Sequence, residues 1–389
     1  MSLFRLGLLF FVQIGGAGSW IWYSLVLDRM GVGGAAVGAA LATSSLARIL
    51  AAPAWAAAAD RWHLGPRLLL VTATLQAALM AAAALGPAHP GFVAAVTIVF
   101  SAARAPVGPL LDALAVGQLT AQGRPATDYG KVRLWGSVGF LVVAMVASLL
   151  VDHLPAVAQA PLWPGLAVWL VALALCVGLP QGRPAPPTPL GPAFRALGAR
   201  PFFWPFALAI TVYGVALCTY DSLFPLLVSE RGLPAWVTGG GLAVGVAAEV
   251  AVMAGAGPLL RRVPPLPLVA VAMLVGAARW AAMAVVEGPA AIVALQALHG
   301  LSFGVFWVAG VELLRSAAPP ELRASAQAFF TTAPYGVGAV LMGVLTGAAL
   351  EPMGVGGVFG LSAGLSVIAA GLVAWAAARE RAAARPAAG

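Results

Sequence analysis

Long apolar runs alternate with short polar breaks along the whole chain. A helix of about 20 residues crosses the hydrocarbon core of a bilayer, and twelve runs reach or approach that length. The first begins at the N-terminus and is too long for a cleaved signal peptide, so we interpret it as a spanning helix. The predicted helices cover residues 4–27, 35–58, 67–86, 90–118, 131–152, 163–180, 201–228, 236–258, 266–286, 289–314, 324–350 and 355–378.

One long polar break, residues 181–201, is rich in proline and separates six runs from six others. The two halves also repeat weakly, because residues 41–62 align with residues 242–263. Two six-helix repeats are typical of secondary transporters, in which the solute site lies at the repeat interface. The pattern predicts an all-α membrane protein with twelve transmembrane helices in two pseudo-symmetric six-helix bundles. These are an N-terminal bundle (1–180), a cytoplasmic linker (181–200) and a C-terminal bundle (201–389).

The composition excludes an ordinary soluble domain, since 61% of the residues are hydrophobic and only 9% are charged. The net charge of +8 reflects membrane orientation rather than nucleic-acid binding. With both termini in the cytoplasm, sixteen basic residues fall in cytoplasmic segments, and only Arg29 and Arg231 fall in outer loops. We therefore predict a multi-pass protein of a bacterial-type cytoplasmic (inner) membrane, with both termini cytoplasmic.

The chain contains no nucleophile–base arrangement and no paired metal-ligand motif, so we expect no enzyme activity and no metal. Cys176 and Cys218 lie inside apolar runs and are interpreted as packing residues. We expect no cofactor, with a proton gradient as the energy source. The expected partners are a small-molecule substrate, protons and the lipid bilayer, without nucleic acid, and the chain is expected to be a monomer.

Seven charged residues lie within the predicted spans. Each costs about 2.5–3.5 kcal/mol at the bilayer centre. Facing lipid together, they would cost on the order of 20 kcal/mol, more than the net stability of a domain. The set therefore indicates a polar pathway, although each residue taken singly could equally form a structural pair. The seven are Arg48, Arg104, Asp112, Asp221, Glu249, Arg279 and Glu312.

Polar and aromatic residues recur at helical spacing in three runs, which indicates the lining of a cavity. The tenth run carries His299, Phe303 and Trp307 on one face, together with a glutamine and a glycine. Trp20 lies on a similar face of the first run, and Tyr220 on one of the seventh. Packing between helices is the alternative interpretation of these aromatic side chains.

Several motifs occur together in one order along the chain. They are "PVGPLLDAL" (106–114), "YGKVRLWGSVGF" (129–140), "GVALCTYDSLF" (214–224), "VAAEV" (246–250), "GAARW" (276–280) and "LQALHG" (295–300). Together they resemble the lactose-permease-like branch of the major facilitator superfamily, and within it the phenylpropionate-permease-like members. The resemblance covers most of the chain and implies a transporter.

The resemblance assigns roles at matching positions. It implies that Asp112 and Arg133 hold the solute and that Phe140 stacks on it. A helix-eight glutamate, a helix-nine arginine and a helix-ten histidine serve binding and proton coupling in that branch, and these are matched by Glu249, Arg279 and His299 in this chain. Tyr220 and Asp221 match a helix-seven pair.

The chain departs from lactose permease at two coupling positions. Ser302 stands where that permease has a proton-carrying glutamate, and the eleventh run lacks the lysine that partners the helix-seven aspartate. Lactose and that proton route therefore do not follow from the resemblance. Arg48 fits the phenylpropionate-permease-like pattern, whereas Arg104 matches no position that we can assign.

The first half carries a surplus of cations at mid-depth, and the second half a surplus of acids. We therefore expect solute binding to rely on the first half and proton exchange on the second. Glu249 is the expected proton carrier, because a carboxyl group in a low-dielectric setting holds a proton more readily. A fixed salt bridge from Glu249 to Arg279 is the alternative. The candidate solute-binding residues are Asp112, Arg133, Phe140, Arg48, Arg104, Trp20, Tyr220 and Trp307. The candidate proton-coupling residues are Glu249, Arg279, His299 and Asp221.

We expect Arg133 to reach Asp112; the alternative is that it extends to the cytoplasmic headgroups. Asp60 and Arg61 resemble the superfamily's loop between helices two and three, which implies a cytoplasmic gate; simple loop charge is the alternative. The candidate cytoplasmic gate residues are Asp60, Arg61, Glu312 and Arg323, and we expect Glu312 to pair with Arg315 or Arg323 at that gate. The predicted function is proton-coupled symport of a small polar or aromatic solute (an aromatic carboxylate, a sugar or a nucleoside) by alternating access. The alternatives are a proton-driven efflux antiporter and, from another class, a membrane sensor or scaffold that transports nothing.

Overall fold

The computed structural model describes residues 2–61, 67–124, 128–179 and 190–384. Within these ranges the chain is helical, without strands, and ten helices have the length and composition to cross a membrane. The first ten helical segments are α1 (Leu3–Arg29), α2 (Gly34–Arg61), α3 (Arg67–Leu85), α4 (Pro90–Ala121), α5 (Asp128–His153), α6 (Ala160–Cys176), α7 (Phe203–Glu230), α8 (Trp236–Arg262), α9 (Pro265–Val285) and α10 (Pro289–Ala317).

The last candidate span, Ser325–Ala383, is 59 residues long and therefore holds two membrane crossings. Gly354 divides it, because its φ of 65° and ψ of 177° interrupt the helix in a region that favours glycine. We label the two parts α11 (323–353) and α12 (355–384). With α6 as a shorter apolar helix, the described residues contain twelve helices that can cross a membrane. The predicted all-α class with twelve transmembrane helices agrees with this architecture.

The chain divides into two compact units. Unit 1 comprises Met1–Pro187 and Ser222–Gly239, and unit 2 comprises Thr188–Asp221 and Gly240–Gly389. Unit 1 therefore contains the connection between α7 and α8 as well as α1 to α6. The domain boundaries predicted at residues 180 and 201 remain a prediction. Within the predicted linker, Leu190–Gly198 is helical, while residues 180–189 lie outside the described part.

Small residues allow the helices of unit 1 to approach closely. Gly139 of α5 lies against the backbone of Phe11 in α1, where a Cβ would overlap the neighbouring chain. The buried interior of this unit includes Phe10, Leu111 and Trp169. Close backbone approach of this kind is a general way to pack membrane helices, because lipid supplies no hydrophobic force between them.

Proline and two π-helical segments interrupt the regular helices. Pro106 has no N–H to offer the Ala102 carbonyl, and the indole of Trp55 donates to that carbonyl instead at 2.8 Å. Gly300–Gly304 in α10 and Ala333–Gly338 in α11 are π-helical, a form often found at functional sites. Both π-helical segments lie in helices that carry candidate site residues.

Candidate functional site

Arg279 of α9 is the centre of a buried polar cluster in unit 2. Its side chain has no solvent exposure. Its Nη2 donates to the Gln296 side-chain oxygen, and its Nη1 contacts His299 Nδ1 at 3.0 Å. The guanidinium carbon lies 4.3 Å from the ring centroid of Tyr220 and 4.4 Å from that of Trp280. Two aromatic faces and two acceptors therefore hold this cation away from lipid.

Gln296 has one orientation in this cluster. Its amide nitrogen donates to the Ile292 carbonyl at 2.7 Å and lies 3.2 Å from the Met283 sulfur. With the nitrogen held there, the amide oxygen faces Arg279. Gln296 follows the last residue of Pro289–Leu295, where regular helix stops. The interruption of α10 thus begins at a residue that binds the buried cation.

Arg279 also determines the tautomer of His299. A guanidinium can only donate, so His299 Nδ1 must be the acceptor and the ring proton of the neutral imidazole must be on Nε2. That nitrogen lies 3.5 Å from Glu249 Oε2. The three side chains form a directed chain in which Arg279 donates to His299 and His299 points its N–H at Glu249. The alternative of a fixed Glu249–Arg279 salt bridge is wrong for this structure, because the imidazole lies between the two.

Glu249 is the more accessible end of this chain. Its side chain is 24% exposed, compared with 14% for His299 and none for Arg279. A proton could therefore reach the carboxylate before it reached the imidazole. Protonation of His299 on Nδ1 would place two donors face to face, so it requires Arg279 to move. The geometry links a proton at Glu249 to the position of a buried cation.

A row of rings continues from this cluster along α10. His299 stacks on Phe303 with centroids 5.0 Å apart, and Phe303 lies 5.6 Å from Trp307. Trp307 in turn lies 6.4 Å from Tyr335 of the second π-helical segment, and Tyr220 lies 5.7 Å from His299. The structure therefore brings together the aromatic residues predicted to share a face. Solute binding by these rings remains a prediction, and packing between helices remains its alternative.

Asp221 is exposed, next to Tyr220 in α7. Its charge acts on the buried Arg279 and on Tyr335. It therefore belongs to the electrostatic surroundings of the cluster, although its coupling role remains a prediction. Tyr213, two turns earlier in α7, is buried and donates to the Ser302 carbonyl at 3.1 Å, which fits a packing role.

In unit 1, Asp112 accepts a hydrogen bond from the Tyr129 hydroxyl at 2.7 Å. The expected ion pair with Arg133 is absent from the described residues, and this prediction is wrong for the present structure. Tyr129 lies one helical turn before Arg133, and its hydroxyl, rather than the guanidinium of Arg133, binds the Asp112 carboxylate. Arg133 is exposed, with its guanidinium 6.0 Å from the Phe10 ring and close enough to the Tyr129 hydroxyl to interact with it.

Tyr129 thus links Asp112 to Arg133, and sequence reasoning missed it. We expect Tyr129→Phe to lower the free energy of unfolding by about 1.5–3 kcal/mol, the usual contribution of a hydrogen bond to a charged group. Thermal unfolding in detergent of Tyr129→Phe, Asp112→Asn and the double variant measures the coupling between the two side chains. Effects that simply add would mean that the hydroxyl does not bind the carboxylate.

Arg48 of α2 and Arg104 of α4 lie near enough for the charge of one to act on the other. The Arg104 Nε is buried and has no hydrogen-bond partner among the described residues. Trp20 stacks on Phe100 of α4 with centroids 4.6 Å apart. Phe140 is half-buried in α5. These four predicted solute-binding residues all belong to unit 1, and their roles remain predictions.

Glu312 pairs with Arg315 at 2.6 Å, one of the two partners expected for it. The charge of Arg323 acts on the same carboxylate. Arg61 is exposed at the end of α2, while the side chain of Asp60 lies outside the described residues. The gate role of these four predicted residues remains a prediction.

Residues 3–361 match the family model described as MFS_1 like family. A maltose permease of Geobacillus stearothermophilus is 30% identical over 331 residues, which cover 84% of this chain and 82% of that protein. The protein named "Probable 3-phenylpropionic acid transporter" of Escherichia coli is 28% identical over 281 residues, covering 72% and 73%. The crystal structure of nucleoside transporter NupG has a TM-score of 0.78 at 21% identity, covering 96% of this chain and 99% of that chain. At that identity the structural likeness concerns the fold.

Proposed function

The chain belongs to the MFS_1 like family and is a multi-pass membrane transporter, and from this premise we propose that it is a proton-coupled symporter. Its solute is small and polar or aromatic, and it crosses a bacterial cytoplasmic membrane by alternating access. The chain works as a monomer with both termini in the cytoplasm, without a cofactor, and it catalyses no reaction.

The observation that carries this proposal is the contact chain from Glu249 through His299 to Arg279. A carboxylate that is partly accessible can gain and lose a proton. Because His299 joins it to a buried cation, the proton changes which donors and acceptors are satisfied inside unit 2. Each protonation state then favours its own arrangement of α8, α9 and α10, which is what coupling requires.

The π-helical segments support such a rearrangement. Tyr213 and Cys218 of α7 bond to the carbonyls of Ser302 and Pro334, each of which lies in one of the two segments. The Cys218 sulfur lies 3.7 Å from the Pro334 oxygen, a weak contact that can be exchanged at small cost. Local departures from α geometry allow a helix to bend without losing its whole hydrogen-bond ladder. We place the moving parts of α10 and α11 at these two segments.

Reconstitution into proteoliposomes tests the proposal. An inward proton gradient should drive accumulation of at least one of 3-phenylpropionate, maltose and uridine, and a protonophore should abolish it. Accumulation in vesicles of the opposite pH polarity would mean export in exchange for protons. Binding without transport under either gradient would favour a sensor or scaffold and refute the proposed symport.

A set of contacts within unit 1, which we call the clasp, joins the last part of α7 and the α7–α8 connection to α1 and α5. The Ala235 N–H donates to Asp152 Oδ1 at 2.8 Å, and the Ser24 hydroxyl donates to the Ser222 carbonyl. Arg29 donates to the Val151 carbonyl at 3.5 Å, and its charge acts on Asp152. In an alternating-access cycle these contacts must break whenever the end of the protein that carries them opens.

We expect Asp152→Ala to shift the conformational equilibrium toward the state in which the clasp is open. Loss of one such hydrogen bond is worth about 1–2 kcal/mol, or a factor of about 5–30 in population. The labelling rate of a Ser222→Cys reporter by a membrane-impermeant thiol reagent measures the shift, since both native cysteines are buried. Asp152→Asn, which keeps an acceptor oxygen, is the matched control. Equal rates in all three proteins would remove the clasp from the mechanism.

A further inference from the structure

Arg104 is a half-buried cation whose Nε is buried, and the described residues supply no acid to pair with it. It takes part in none of the ion pairs found among the described residues, and its Nε has no hydrogen-bond partner there. The neighbouring charge that acts on it is Arg48, another cation. Two positive charges in a membrane-spanning unit are costly to bring together unless an anion joins them.

The backbone beside Arg104 leaves space next to this cation. Arg104 is the last residue of Pro90–Arg104, and the next helical segment of α4, Val107–Ala121, starts three residues later. A Cβ added at Gly108, in its first turn, would meet no heavy atom within 4 Å, so there is room beside the start of that segment.

A phenylalanine ring lies one helical turn from the same cation, and a tryptophan ring stacks on that phenylalanine. Phe100 precedes Arg104 by four residues and therefore shares its side of the helix. Trp20 stacks on Phe100 at 4.6 Å and on Tyr23 at 5.0 Å, and it keeps part of its surface accessible. An aromatic surface and a cationic region thus adjoin each other within unit 1.

We propose that Arg48 and Arg104 bind the carboxylate of the transported solute, and that the ring of Trp20 contacts its aromatic part. This inference rests on the proposed transport function and deepens it by naming the solute class as small aromatic carboxylates. The planar fork of an arginine suits a carboxylate, and a bound anion would satisfy the Arg104 donor that the described chain leaves open. A neutral sugar or nucleoside would bring no charge to compensate Arg104.

Equilibrium binding to the purified full-length protein tests the inference with two matched probes. 3-Phenylpropionate carries the carboxylate, and 3-phenylpropionamide has the same shape without the charge. We expect the acid to bind about 10–100-fold more tightly than the amide, the range expected for charge-assisted hydrogen bonds. Arg104→Gln should remove most of this preference, and Arg48→Gln part of it. Exposed Arg262 supplies the control Arg262→Gln, which should leave the preference intact.

Three outcomes would overturn the inference. The first is equal binding of the acid and the amide to the unaltered protein. The second is undiminished affinity for the acid in an Arg104→Gln variant that melts normally, and the third is no binding of the acid at all. If the glutamine variant fails to fold, Arg104→Lys replaces it, because lysine keeps the charge but lacks the planar guanidinium. Unchanged affinity of Arg104→Lys for the acid would also count against the site. Proton-driven uptake of maltose or uridine that survives Arg104→Gln would refute the anion site and leave the transport proposal standing. Absence of any proton-driven uptake would instead refute the transport proposal.

Discussion

Replacing Glu249 by glutamine should abolish uphill solute accumulation while leaving solute exchange intact. A pH difference of one unit is worth about 1.4 kcal/mol per proton, which supports about tenfold accumulation when one proton accompanies each solute molecule. An amide cannot carry that proton, so we expect the accumulation ratio in Glu249→Gln to fall to one. Exchange of labelled for unlabelled solute needs no net proton movement and should continue.

The structure explains why glutamine is the informative substitution. The amide keeps the size of the side chain and still offers an oxygen to the N–H on His299 Nε2, 3.5 Å away in the parent. Folding and the Arg279–His299 contact should therefore survive. Glu321→Gln changes an exposed glutamate between α10 and α11 and serves as the matched control. Tenfold accumulation by Glu249→Gln would mean that this carboxylate has a structural role only.

The twelve spans could be predicted from the sequence because hydrophobicity reports which segments meet lipid. The predicted runs 236–258 and 266–286 correspond to α8 and α9. The division between α11 and α12 also follows from the sequence, because the break between runs 324–350 and 355–378 includes Gly354. Hydrophobicity says nothing about short helices outside the membrane, and the helix Leu190–Gly198 within the predicted linker was not predicted for that reason.

The contacts within the candidate site were less predictable. The rotation of a helix about its axis decides which side chain meets a given partner, and an almost uniformly apolar sequence does not record that rotation. Tyr129 and Arg133 lie one turn apart on α5, and it is the tyrosine that donates to Asp112. The signal was present in the same motif, since a tyrosine one turn before a cation is a second donor on that face.

The α10 cluster was predicted more successfully, despite an irregular backbone. Spacing in steps of three and four suggested one face for His299, Phe303 and Trp307, and these rings do contact each other in sequence. The π-helical segment Gly300–Gly304 could not be predicted, because no residue in it requires such a turn. Nor could the tautomer of His299, which depends on a donor from another helix, Arg279 of α9.

Arg279→Lys should reduce both transport and stability although it keeps the charge. The fork of Arg279 donates through Nη1 to His299 and through Nη2 to Gln296, and a single ammonium on a shorter side chain cannot reach both acceptors. Each charge-assisted hydrogen bond contributes at least about 1.5 kcal/mol, so loss of one of the two should lower the free energy of unfolding by about 1.5 kcal/mol. Thermal unfolding in detergent measures this loss.

Arg279→Lys should reduce transport more than stability, because Arg279 also holds the proton of His299 on Nε2, facing Glu249. Without a donor at Nδ1 the imidazole is free to take either tautomer, and its N–H no longer points reliably to the carboxylate. We therefore expect proton-driven uptake by Arg279→Lys to fall by about 100-fold, equivalent to about 2.7 kcal/mol. Exposed Arg262 provides the control Arg262→Lys, which should match the parent in both assays. Normal uptake by a destabilised Arg279→Lys variant would separate the two roles and leave this arginine with packing alone.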